Sequence, residues 1–121
     1  MAQVQLKENI VHALEEAKAR DIVVLDVSQI SSFTDWMVVA TGTSTTHVRS
    51  TGESVAQAFK ASEHPPLGVE TDPSPNWVVV DLGQAVIHIM TESARAHYQL
   101  EKLWDMPPQS VQAHHPSDLL E

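Results

Sequence analysis

The sequence predicts a single domain of mixed α/β class: one mixed β-sheet flanked by helices, in the order α-β-β-α-β-β-β-α. Three observations carry that prediction. Apolar residues switch several times between helical spacing and short branched runs, a Gly-X pair separates two strand-like runs, and no internal repeat or low-complexity stretch breaks the pattern. A chain of 121 residues, 42% of them hydrophobic, can bury one core and has little room for a second.

The elements follow in order. Leu6, Ile10, Ala13, Leu14 and Ala17 recur at helical spacing, with Lys7, Glu8, Glu15, Glu16 and Lys18 on the other faces, so the first element is an amphipathic helix. Residues 22–27 are branched apolar residues interrupted only by Asp26, too short a run to favour a helix, and predict a buried strand. A polar turn over 28–34 has Ile30 and Phe33 as possible anchors, and residues 35–41 form a second strand ending at Gly42. Ser44 or Thr45 can cap a second helix with the stripe Val48, Gly52, Val55, Phe59. Glycine costs a helix interior about 1 kcal/mol relative to alanine, so Gly52 on the apolar stripe predicts close approach to the sheet. Residues 62–66 end that helix, 67–70 are a short edge strand, and 71–76, with Pro73 and Pro75, are a loop. Runs 77–82 and 85–90 flank Gly83-Gln84, a pair suited to a type II′ turn, and should pair antiparallel. A last helix from about Glu92 carries Ala96, Leu100, Leu103 and Trp104 and stops at Pro107-Pro108. The domain is therefore drawn over residues 1–108, with a flexible polar tail over 109–121 that holds only the small Leu119-Leu120 patch.

Composition removes several functions. With no cysteine there is no disulfide framework, thiolate nucleophile or Cys-based zinc site. No apolar run is long enough to span a bilayer, and the first residues lack the charged-then-apolar order of a signal peptide, so no membrane association and a cytoplasmic location are expected. The net charge of −9, with seven Lys and Arg in all, argues against direct or sequence-specific nucleic-acid binding, because neutralising phosphates needs clustered cations. An acidic domain suits a basic protein partner; equally, the charge can serve only to keep the protein in solution.

The segment Leu25-Asp26-Val27-Ser28, then Ser32-Phe33-Thr34-Asp35-Trp36 and Ala40-Thr41-Gly42-Thr43-Ser44, resembles the signature of the ribosome silencing factor (Iojap-like) family. That signature has an aspartate in a first strand, a Ser-Phe-Thr-Asp-aromatic entry to the second and an Ala-Thr-Gly-Thr-Ser exit. His47-Val48, Pro66-Leu67, Glu70, Trp77-Val78-Val79-Val80-Asp81, Val86-Ile87-His88, Glu92, Arg95 and Tyr98-Gln99-Leu100-Glu101-Lys102-Leu103-Trp104 follow the family's later blocks in order. The likeness spans about residues 6–108. It departs at Glu70-Thr71, where the family often has Glu-Gly, and at Pro73-Ser74-Pro75-Asn76, where the family has a small or glycine-rich turn. The resemblance implies a fold related to nucleotidyltransferases and binding to the large ribosomal subunit through large-subunit ribosomal protein fourteen, where the subunits meet. It also implies repression of translation when nutrients are scarce, by blocking association with the small subunit.

Enzyme chemistry is the rival. Thr41-Gly42-Thr43-Ser44 is a faint likeness of a nucleotidyltransferase phosphate turn, but the pair of carboxylates that would hold a catalytic magnesium is missing: Glu53 is followed by Ser54-Val55, and Asp26, Asp35 and Asp81 lie on separate strands. The turn is sufficiently explained as a strand end and a helix cap. The seven histidines show no HExxH or short paired spacing within one element, so neither a metal nor a cofactor is expected. No catalytic residue is assigned.

The hairpin and last helix hold the candidate partner-binding residues. Trp77, Leu82, His88, Tyr98, Leu100 and Trp104 are the kinds that anchor protein interfaces, while Asp81, Glu92 and Glu101 can meet basic groups; Arg95 belongs to the same set. The plainer alternative is that the apolar members fill the core, and for Trp104 the helical stripe favours that as much. An exposed apolar hairpin surface would also allow the free protein to form a homodimer.

Overall fold

The computed structural model describes residues 2–32, 34–71 and 76–98. Helix α1 (Ala2–Glu16) drives Leu6, Ile10 and Leu14 into the core, an i, i+4, i+8 stripe with all three residues buried. It ends in a Schellman motif: Ala19 N–H donates to Leu14 O and Lys18 N–H to Glu15 O, both at 2.9 Å, with Lys18 left-handed at φ 66°.

Strand β1 (Arg20–Asp26) starts two residues before the predicted run. The early start includes a bulge between Arg20 and Val23, where Asp21 is left-handed at φ 49°. Strand β2 (Trp36–Gly42) is buried from Met37 onward. Helix α2 (Thr45–Phe59) is capped by Ser44, whose Oγ accepts from His47 N–H at 3.1 Å. Its buried stripe of Val48, Thr51, Gly52, Val55 and Phe59 contains the predicted one. A Cβ built on Gly52 would lie 2.6 Å from Val78 Cγ1, which is the close helix–sheet approach that the sequence predicted.

Strands β3 (Gly68–Thr71), β4 (Trp77–Asp81) and β5 (Ala85–Thr91) form an antiparallel meander. The five-stranded sheet has the order β1-β2-β5-β4-β3, with β2 and β5 parallel at its centre. The architecture is the predicted mixed sheet with flanking helices in the predicted order, closed by α3 (Glu92–Tyr98). One detail differs at the β4–β5 reversal. Gln84 N–H donates to Leu82 O at 3.1 Å, the i→i+2 bond of a γ-turn around Gly83 at φ 85°, in place of the i→i+3 bond of type II′.

Period-2 alternation divides the core between two faces. Val38, Ala40, Val78, Val80, Ile87 and Ile89 face α1 and α2. Val27, Met37, Val39, Met90 and Ala94 pack on the opposite face beneath α3.

Candidate functional site

On the α3 face, the outward positions of β4 and β5 hold the candidate residues. Trp77, Val79 and Asp81 alternate with buried Val78 and Val80 along β4, and the register sets Val79 opposite His88 and Asp81 opposite Val86. Trp77, Val79, Asp81, Val86 and His88 are all half-buried, so the patch combines apolar stems with polar tips.

At its centre Trp77 Nε1–H donates to His88 Nδ1 at 3.0 Å. Burial pushes the His88 imidazolium down to a pKa of about 4, so the ring is neutral at pH 7. Because Nδ1 accepts, the proton resides on Nε2. Tyr98 lies against the same indole, with ring centroids 4.7 Å apart and planes tilted by 46°. Asn76, Ser93, Ala94, His97 and Tyr98 border an adjoining recess of about 240 Å³, enough for one side chain rather than a drug-sized ligand.

The structure therefore brings together Trp77, His88 and Tyr98, with Asp81 on the same strand face. Asp81 also has an internal task, since its Oδ1 accepts from Gly83 N–H at 2.8 Å and pins the hairpin turn. Glu92 is exposed at the start of α3. The Arg95 guanidinium turns inward, with Nη1 donating to the Asp21 carbonyl and to Thr41 Oγ1.

Leu82 requires a correction. It is 4% exposed and packs in the α1–α2 core, because it continues the inward series Val78, Val80; it offers no surface to a partner. Leu100, Glu101 and Trp104 lie outside the described residues. Val79 and Val86 were not singled out from the sequence, although the alternation that places Trp77 and Asp81 on one face places Val79 between them.

The Thr41-Gly42-Thr43-Ser44 turn is occupied by the fold. Thr43 N–H donates to His47 Nδ1 and His47 Nε2–H to the Ala17 carbonyl, both at 2.9 Å, which ties α1 to the start of α2. A Cβ on Gly42 would lie 2.6 Å from Val48 Cγ2. Asp26, the signature aspartate, accepts from Ser28 Oγ at 2.6 Å and from Ser28 N–H at 3.0 Å; these bonds hold its carboxyl below the usual carboxylate range. Among the described residues no three His, Asp or Glu side chains converge as a metal site.

The family model described as "Ribosomal silencing factor during starvation" matches residues 2–119. "Ribosomal silencing factor RsfS" of Haemophilus influenzae is 42% identical over 99 residues, covering 82% of this chain and 97% of that protein. The mouse "Mitochondrial assembly of ribosomal large subunit protein 1" is 34% identical over 100 residues, 80% of this chain and 44% of that protein. A crystal structure from Chromobacterium violaceum superposes with a TM-score of 0.79 at 35% identity, covering 85% of this chain and 88% of that one. Sequence signature, fold and relatives agree, and the chain belongs to the ribosomal silencing factor family.

Proposed function

We propose that the chain binds the large ribosomal subunit in the cytoplasm through the α3 face of β4 and β5, with large-subunit ribosomal protein fourteen as its contact, and so keeps the small subunit from joining. The single observation that carries this reading is the half-buried Trp77–His88–Tyr98 cluster on the α3 face of β4 and β5. Aromatic groups held in place by their own contacts lose little freedom on docking, and such residues supply a disproportionate share of interface energy. Val79 and Val86 extend the apolar centre, while Asp81 and Glu92 form an acidic rim that complements a basic partner.

Repression is steric and involves no bond-making step. A domain of this length has a radius of gyration of roughly 13–14 Å, so a bound copy stands tens of ångströms above the subunit surface and intersubunit bridges cannot close around it. In the free protein the same face would pair with a second copy, making self-association a competitor of docking.

Sucrose-gradient sedimentation with purified subunits tests the proposal. The protein should co-migrate with free large subunits and reduce their joining to small ones. Trp77→Ala, with its fold verified by circular dichroism, should bind about thirtyfold or more weakly, the loss typical of an interface anchor. A folded Trp77→Ala that binds and blocks joining like the parent would sink the assignment of this face.

A further inference from the structure

We infer that Arg95 is a positioning residue, a latch that holds α3 across the sheet so that Tyr98 stays seated against Trp77; the inference rests on the docking face proposed above. Three observations carry it. First, among the described residues of α3, 92–98, Ala94 is the one that is buried, in a cluster with Met37, Val39 and Met90. Within that span a single methyl group fixes little of the helix's rotation or tilt.

Second, Arg95 follows Ala94 directly and reaches past β2 to β1. Its Nη1 donates to the main-chain carbonyl of Asp21 and, at 2.8 Å, to Thr41 Oγ1. Thr41 is 3% exposed, so its hydroxyl has exchanged water for this cation. Third, the acceptor on β1 is created by an irregularity. The bulge between Arg20 and Val23 and the left-handed φ of 49° at Asp21 take that peptide out of the regular β1–β2 ladder, and its carbonyl becomes a partner for Arg95. An arginine is thus anchored at two points on one side of the α3 axis, while Tyr98, one turn on from Ala94, packs on Trp77 on β4. The helix is clamped at both flanks of the sheet face.

The two bonds to Asp21 and Thr41 come from one nitrogen, and the ammonium of lysine can donate to both acceptors, whereas an apolar chain of similar length cannot. This gives a conservative rescue. The full-length protein would be labelled with 5-fluorotryptophan, its Trp77 resonance assigned through Trp77→Phe, and the position for an unstacked indole taken from Tyr98→Ala. Arg95→Met should move the Trp77 resonance of the free protein toward that of Tyr98→Ala. It should also weaken large-subunit binding roughly fivefold, as the population with Tyr98 seated falls. Arg95→Lys should retain the parent resonance and bind within about twofold of the parent.

If Arg95→Met weakens binding while the Trp77 resonance stays put, Arg95 touches the partner directly and the latch is refuted. A resonance that moves without any loss of binding also overturns the positioning role, as does Arg95→Lys behaving like Arg95→Met. Failure of the docking face is distinguishable: Trp77→Ala would then bind normally, whatever the free-protein spectrum of the Arg95 variants.

Discussion

His88 shows how a single side chain couples the site to acidity. Its folded pKa of about 4 lies below the ordinary imidazole value of 6.5, so the unfolded chain binds the proton more readily than the folded one. Stability is therefore full above about pH 6.5 and is lost progressively as pH falls toward 4, by on the order of 2–3 kcal/mol over the whole window. Urea denaturation at intervals across that range should show this slope, and His88→Gln, which keeps an acceptor for Trp77 Nε1–H, should flatten it relative to the parent. An unchanged slope would mean that burial of His88 is not its source. The sequence marked His88 as a candidate partner-binding residue of the hairpin. Its tautomer was not legible, since it depends on the Trp77 indole arriving from the neighbouring strand.

Between elements, the most exacting contact is α2 against β4. Alanine is the better helix former by about 1 kcal/mol, yet Gly52→Ala should destabilise the protein by about 1–3 kcal/mol, because the added methyl would fall 2.6 Å from Val78 Cγ1. Thermal denaturation would check the sign, and Val78→Ala in the same chain should recover part of the loss by opening the space. This contact was readable in the sequence, since a glycine on an apolar helical stripe weakens the helix and is tolerated where a neighbouring backbone or side chain needs the room. The two faces of the hairpin were readable too, yet grouping residues by hairpin rather than by alternation set Leu82 beside Asp81. The β1 bulge left no mark in the sequence: Asp21 is an ordinary residue before a branched run, and its left-handed backbone is fixed by the turn from Lys18 and the grip of Arg95. The inward turn of Arg95 was hidden as well, as Asp21 and Thr41, which accept from it, are distant along the chain.

For the whole molecule, the net charge of −9 gives a prediction that no single residue does. If the partner surface is basic, the association rate with large subunits should fall several-fold as salt rises from about 50 to about 200 mM, while dissociation changes less. Stopped-flow mixing of labelled protein with subunits would read both rates, and a salt-insensitive association rate would show the charge to be irrelevant to recognition. The ordered family blocks made the architecture legible, but not which outward residues of β4 and β5 are half-buried, which depends on how the elements pack across a twisted sheet. The parallel seam between β2 and β5 has a consequence for synthesis. About forty residues separate the two strands, so every contact across the seam waits for a long loop to close. Val86 and His88 of the proposed docking surface lie on β5 itself. On the proposed reading, a nascent chain that has made only β1 to β4 lacks part of the surface that would recognise a ribosome.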